Sequence, residues 1–264
     1  MNERDAVVTA SEAPWRAGVR AAWANRWPGF ALVCFAVGLL LAYWYVPAVR
    51  DTLDVVAGWK QRVGLVFGIV STAVFGGLLP WLVQRLVRPG TRDAGWPVLW
   101  FLLGFWAVKG LEVDLLYWAQ AMVFGDRASP GVVAVKVFFD QGVYVPVWAI
   151  PTTVAAFAWR DCGYSLARLR REFFRGGWVG WYRDRVVPVL IANWMVWVPA
   201  VVVIYLLPLA LQLPIQNLVL CFWSLMLIIQ TRGASAGGNL PGVEPRRRGG
   251  HGDQSGESVE RRVG

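Results

Sequence analysis

Three charged side chains lie inside one otherwise apolar stretch of the sequence, and they are the first residues whose types could do chemistry. They are Lys109, Glu112 and Asp114. Inserting such a residue costs about 2.5 to 3.5 kcal/mol near a bilayer centre, so each should face a partner or a water-filled cavity. On a helix, Lys109 and Glu112 fall on one face with Tyr117 and Gln120, whereas Asp114 points elsewhere. Lys109 and Glu112 can pair at i, i+3, either merely to hold the helix in place or as part of a polar stripe that lines a pore or pocket.

A second polar group lies in the string KVFFDQGVYVP, which begins at Lys136. Lys136 and Asp140 are one helical turn apart and can pair, and Gln141 lies beside them. We expect Lys136 to hold Asp140 in its ionised state. The two polar groups should converge in the outer half of a membrane, where they line or gate a path. The alternative is a set of structural hydrogen bonds between helices, each worth about 0.6 kcal/mol.

The composition requires a membrane around these groups. The 264 residues are 56 % apolar and only 16 % charged, and 17 of them are Trp. Soluble proteins average about a quarter charged residues, and Trp is enriched where membrane proteins cross the headgroup layer. The mean hydropathy of +0.45 agrees. We therefore predict an integral membrane protein.

Six apolar segments are long enough to span a bilayer as helices, since a span needs about 20 residues. The predicted fold is an all-α bundle of about six transmembrane helices. The last two segments run almost together and read best as a tight hairpin, with a kinked helix followed by a re-entrant segment as the alternative. The predicted spans are Phe30 to Val49, Val63 to Val83, Trp96 to Gln120, Gly142 to Trp159, Val186 to Leu207, and Leu209 to Ile229.

The basic residues predict the orientation, because Lys and Arg accumulate on the cytoplasmic side. With both termini inside, twenty basic residues flank the spans on the inner side and five on the outer, namely Arg50, Lys60, Arg62, Arg127 and Lys136. The net charge of +9 is divided among loops and tail, which argues against nucleic-acid binding. The inner loop includes Leu166 to Phe174, an Arg-rich amphipathic helix expected to lie on anionic lipids. The sequence leaves open whether the chain forms a homo-oligomer.

The two ends of the chain are predicted to lie outside the transmembrane domain, residues 30–230. Residues 1–29 should form an interfacial segment with a short helix capped by Ser11 and with Trp15, Val19 and Trp23 on one face. A disordered arm or an organelle transit peptide are the alternatives. Residues 231–264 are Gly-rich and polar, so we expect a disordered tail.

The string KVFFDQGVYVP resembles the K-x-x-x-D-Q-x-x-x-x-P signature of the Mpv-seventeen and twenty-two-kilodalton peroxisomal membrane protein family. Further elements are similar in order, although Ile204 and Tyr205 are apolar where the family has Asn-Phe, and Gln212 replaces a basic residue. The similarity covers roughly residues 62–230. The matching positions outside the charged groups are Gly110, Pro146, Asn193, Trp197, Pro199, Pro208 and Trp223.

What the resemblance implies is a small multi-span protein that acts as a weakly selective channel or pore for small solutes. A non-conducting membrane scaffold that binds lipids or partners is the alternative. The Arg bias and the extra first span favour a bacterial inner membrane over an organelle membrane.

Enzyme chemistry is not expected. The sequence has no phosphate-binding loop or nucleophile elbow. Its one histidine, His251, lies in the tail, and Cys34, Cys162 and Cys221 lack the spacing of a metal site or a disulfide framework. We therefore predict no cofactor and no metal.

Overall fold

The computed structural model describes residues 13–87, 89–174 and 177–236. The described residues are 90 % helical and contain no strand, which confirms the predicted all-α class. Nine helices are described, apart from a short 3₁₀ turn: α1 Pro14–Ala24, α2 Arg26–Tyr45, α3 Pro47–Val63, α4 Leu65–Val87, α5 Trp96–Phe124, α6 Pro130–Asp161, α7 Leu166–Phe174, α8 Gly177–Tyr205 and α9 Leu209–Ala236.

Five of the described helices are long and apolar enough to cross a membrane, namely α2, α4, α6, α8 and α9. This establishes a membrane protein with an all-α bundle. The remaining predicted span corresponds to α5, which has 29 residues and is therefore about 44 Å long. It is not among the five, and it carries Lys109, Glu112 and Asp114.

Several helix boundaries differ from the prediction. The predicted first span, Phe30 to Val49, is divided at Val46, where the backbone is extended and α3 begins with Pro47. The loop predicted to follow it, residues 50–62, is therefore entirely helical. The predicted fourth span began at Gly142, whereas α6 begins at Pro130, a residue suited to the first turn of a helix. Lys136, Asp140 and Gln141 consequently lie well inside α6.

The last two spans are separate helices joined by residues 206–208, as the hairpin prediction expected. Pro208 lies in this connection, and its carbonyl accepts a hydrogen bond from the backbone N–H of Leu211. Pro199 lies within α8 and Pro214 within α9 without ending either helix. Helix α9 extends to Ala236, into the predicted tail, and residues 237–264 lie outside the described residues.

The N-terminal helix α1 packs against α8 through its small residues. Gly18 is buried so closely that a Cβ there would lie 2.9 Å from the backbone of Pro188. Trp15 and Trp23 remain exposed, as expected for a face that contacts lipid. Ala13 occupies the N-cap position without a side-chain cap, and the predicted cap, Ser11, lies outside the described residues.

The core is built around α8 and α9. Half of the residues in the apolar part of α9 are buried, against 28 % in α2, so α9 is central and α2 peripheral. Val196 and Ile204 of α8 pack with Leu211 and Ile215 of α9, and all four side chains are fully buried. On the outside, large apolar side chains such as Phe138 are exposed, which suits a surface that faces lipid.

Helices α4 and α5 approach each other through glycines. A Cβ on Gly110 would lie 2.2 Å from the carbonyl oxygen of Gly68 and 2.7 Å from the side chain of Thr72. Small residues at such contacts let membrane helices pack with their backbones close together. Gly110, one of the family-like positions, thus sets the distance between α4 and the helix that carries Lys109.

Candidate functional site

A cavity of about 350 Å³ lies between five helices of the bundle. Most of its wall is aromatic or aliphatic, with polar side chains supplied by each of the five helices. The polar and aromatic lining residues are Thr72 of α4, Trp106, Lys109 and Tyr117 of α5, Asp140, Gln141, Tyr144 and Thr153 of α6, Asn193 and Trp197 of α8, and Gln216, Trp223 and Ser224 of α9.

Lys109 and Glu112 form the ion pair that their spacing predicts. The Lys109 ammonium lies 3.0 and 3.1 Å from the two carboxylate oxygens of Glu112 and donates to the Thr152 hydroxyl at 2.9 Å. The hydroxyl of Tyr144 donates to Glu112 as well. Because Thr152 and Tyr144 belong to α6, the group joins α5 to α6. Its two charges cancel, so Lys109 contributes little net charge to the cavity wall.

Asp140 is bound by neutral groups and not by Lys136. Its Oδ2 accepts a hydrogen bond from the Tyr205 hydroxyl at 2.8 Å, and its Oδ1 accepts one from the Gln141 amide at 3.2 Å. The predicted pair of Lys136 with Asp140 is wrong, since none of the ion pairs among the described residues joins them. Lys136 is 98 % buried, and its Nζ lies 5.7 Å from the ring centroid of Tyr205.

Tyr205 changes the reading of the family-like segment. The sequence comparison counts Tyr205, which stands where the family has Phe, only as an apolar residue, but its hydroxyl is the donor to Asp140. Its ring packs edge-on against Tyr117 at a centroid distance of 5.4 Å. Tyr117 in turn donates to the Oε1 of Gln216 on α9. The two tyrosines therefore connect α5, α6, α8 and α9, and Tyr117 also lines the cavity.

Asp114 points away from the cavity, as predicted, and binds Lys60 of α3. The Lys60 ammonium lies 2.7 and 2.5 Å from the carboxylate oxygens, and both side chains are largely buried. The pair lines a second cavity of about 580 Å³, together with Trp118 and Leu209. The sequence places both residues toward the outer side of the membrane and counts Lys60 among the basic loop residues, with no indication that it binds Asp114.

Helix α6 widens into a π-helix from Asp140 to Ala149, with Pro146 inside it. In a π-helix the N–H of residue i bonds to the carbonyl of residue i−5, and proline has no N–H. The carbonyl that loses its donor is that of Gln141, and the indole N–H of Trp194 reaches it at 2.8 Å. The Pro146 carbonyl accepts from the Tyr182 hydroxyl at 2.9 Å. Helix α8 thus supplies the hydrogen bonds that the D-Q-x-x-x-x-P segment needs.

Helices α4 and α9 are joined by a polar contact that the sequence did not reveal. The Thr72 hydroxyl donates to Asn217 Oδ1, and the Asn217 amide donates to the Ser71 hydroxyl, both at 2.9 Å. Gln212, another α9 residue, donates to the Leu207 carbonyl at 3.1 Å. These groups lie on helices whose apolar residues dominated the sequence pattern, so no local charge signal could have found them.

The predicted polar cluster divides into three parts. Four of its residues line the cavity, namely Lys109, Tyr117, Asp140 and Gln141, and Glu112 contacts it through Lys109. Gln120 and Lys136 are buried, and neither is among the described residues of the wall. Asp114 belongs to the second cavity. Of the family-like positions, Asn193, Trp197 and Trp223 reach the main cavity wall.

The described residues hold no cluster of His, Cys, Asp or Glu suited to a metal ion. Cys34, Cys162 and Cys221 form no disulfide with one another in the described part of the chain. Comparison of the chain with protein-family models, with curated proteins and with solved structures gave no match.

Proposed function

We propose that the chain forms a weakly selective passage for small solutes or ions across its membrane, with the cavity between α4, α5, α6, α8 and α9 as the part that holds the solute. The observation that supports this most directly is that polar side chains from all five helices meet around one space of about 350 Å³. Side chains of this kind can replace part of a solute's hydration shell.

The carboxylate of Asp140 is the feature of this wall that a purely structural role explains least well. It is 96 % buried and lines the cavity. Acidic residues inside transmembrane segments are costly and usually face water-filled paths or partners. Asp140 has partners in Tyr205 and Gln141, which hold it in place, and it also faces the space of the cavity. It is therefore the residue that we propose selects the solute.

A non-conducting scaffold is the second candidate, and the pairing of the polar groups favours it. Three groups of polar side chains make their hydrogen bonds with one another: Lys109 with Glu112 and Thr152, Lys60 with Asp114, and Thr72 with Asn217. Such contacts lock helices together without any solute. In this reading the Arg-rich helix α7 recruits anionic lipids or partners, and the cavity is a packing defect.

Current measurements on purified protein in planar bilayers separate the two. A passage gives currents or solute flux that Asp140→Asn and Glu112→Gln alter, because each removes a charge at or beside the wall. Asp161→Asn is the matched control, since Asp161 lies at the exposed end of the same helix. A scaffold gives no current in any variant. Conductance that is the same in all three variants and the parent chain would contradict the assignment of the site.

We further propose that the protein lies in a bacterial inner membrane and has no catalytic role. The excess of Arg on one predicted side of the membrane supports the assignment to a bacterial inner membrane. Fractionation of the host cell, with inner and outer membranes separated, tests it.

A further inference from the structure

The charges on the cavity wall do not cancel. Lys109 is neutralised by Glu112, whose two carboxylate oxygens lie within 3.1 Å of its ammonium. Asp140 accepts hydrogen bonds from Tyr205 and Gln141, both of which are neutral. In the described part of the chain no basic side chain forms an ion pair with it. The wall therefore carries one carboxylate whose charge no basic side chain among the described residues balances in an ion pair.

Lys136 is the nearest basic residue along α6, but it does not supply that cation. Its ammonium lies against the ring of Tyr205, 5.7 Å from the centroid, and the Tyr205 hydroxyl is the group bound to Asp140. Lys136 is also not among the described residues that line the cavity. It contributes a more distant positive charge, which weakens the attraction of Asp140 for a cation without replacing it.

The rest of the wall suits a cation with an apolar surface. Three indoles, from Trp106, Trp197 and Trp223, line the cavity together with the phenol rings of Tyr117 and Tyr144. Faces of such rings attract cations, and cages of them recognise quaternary ammonium groups. The wall also offers a spare acceptor, because Gln141 is buried and its Oε1 has no hydrogen-bond partner among the described residues.

We infer that the cavity binds an organic ammonium ion, whose charge lies beside Asp140 and whose alkyl groups contact the tryptophan and tyrosine rings. This rests on the proposed function in taking the cavity as the place where a solute is held. An anion would meet the carboxylate, and a neutral solute would leave its charge uncompensated. A bare metal ion is far smaller than a space of about 350 Å³ and would gain nothing from apolar walls.

Calorimetric titration of the purified full-length protein tests the inference without requiring transport. Choline chloride is one probe, and 3,3-dimethyl-1-butanol is the other, because it has nearly the same shape without the charge. We expect choline to bind at least about tenfold more tightly, the order of difference that a carboxylate and a desolvated cation–π contact provide. Equal binding of the two probes, or no binding of choline, overturns the inference.

Three variants locate the binding site. Asp140→Asn should weaken choline binding about tenfold and leave the butanol analogue unaffected. Lys136→Gln should tighten choline binding, since it removes the competing positive charge. Asp161→Asn is the control and should change neither. Folding of Asp140→Asn is checked by gel filtration and circular dichroism. If this variant does not fold, two results still test the inference: tighter choline binding by Lys136→Gln, and the preference of the parent protein for choline over the butanol analogue. Unchanged binding in a folded Asp140→Asn protein contradicts the site.

Flux measured separately in liposomes distinguishes this inference from the proposed function. Choline binding without choline flux or ionic current would retain the binding site and contradict the passage. Flux of small solutes without selective choline binding would retain the passage and contradict the inference.

Discussion

The indole N–H of Trp194 donates to the carbonyl oxygen of Gln141 at 2.8 Å, and that carbonyl is the one that Pro146 leaves without a backbone donor in the π-helical part of α6. One side chain of α8 thereby completes the backbone of α6 beside Asp140. The contact links the segment around Pro146 to Trp194, which lies 48 positions further along the chain.

Trp194→Phe should destabilise the protein by about 1 to 3 kcal/mol, because the part-buried carbonyl of Gln141 loses its donor. The measurement is the free energy of unfolding in mixed micelles. Pro146→Ala supplies a backbone N–H in place of the missing one, so Trp194→Phe should cost less in that background. Trp100→Phe is the control, since Trp100 is 68 % exposed. Equal losses in both backgrounds would contradict the role assigned to Pro146.

Gly110→Ala should be among the most damaging substitutions of its size. The new Cβ would lie 2.2 Å from the Gly68 carbonyl oxygen, so helices α4 and α5 would have to separate. Overpacking typically costs about 1 to 3 kcal/mol, and a backbone clash belongs at or above the upper end. Gly104→Ala is the control, because Gly104 lies on the same helix and its new Cβ would have no atom of a neighbouring helix within 4 Å. It should retain or slightly raise the melting temperature; a similar loss in both variants would refute the packing argument.

Lys60→Gln or Asp114→Asn alone should destabilise the protein by about 3 to 5 kcal/mol, because each leaves a largely buried charge without its partner. The double variant should lose less than the sum of the two single losses. Unfolding free energies of the four proteins measure this coupling. Strictly additive losses would show that Lys60 and Asp114 act independently, and that α3 is not held to α5 by this pair.

Helix α7 should contribute affinity for anionic lipids. Arg168 and Arg171 are exposed on it, and a basic residue near an anionic surface is worth about 1 kcal/mol. Replacing both by Gln should reduce the thermal stabilisation that phosphatidylglycerol gives over phosphatidylcholine in nanodiscs. Arg127→Gln, on the predicted outer side, is the control. An unchanged preference for the anionic lipid in the double variant would contradict the lipid-binding proposal for α7.

Two ion pairs are predicted from local spacing, Lys109 with Glu112 and Lys136 with Asp140, and only the first forms among the described residues. Lys109 and Glu112 lie on a regular α-helix, so the i, i+3 relation placed them correctly. The same reasoning failed for Lys136 and Asp140. A π-helix begins at Asp140, and a hydroxyl from α8 occupies the carboxylate. Neither feature is encoded in the spacing of those two residues.

The sequence by itself determined that the chain lies in a membrane and is helical. Its residues are 56 % apolar and form runs of about 20, the length at which a helix crosses a bilayer with every backbone hydrogen bond made within the segment. It also identified the costly charges on α5 and α6, since these stand out from an apolar background. Only the tertiary structure decided their partners. Tyr205 bound to Asp140, Lys60 bound to Asp114, and Trp194 bound to Gln141 are contacts between helices distant in sequence. Helical periodicity specifies which residues share a face, but which helix covers that face depends on the packing of the whole bundle.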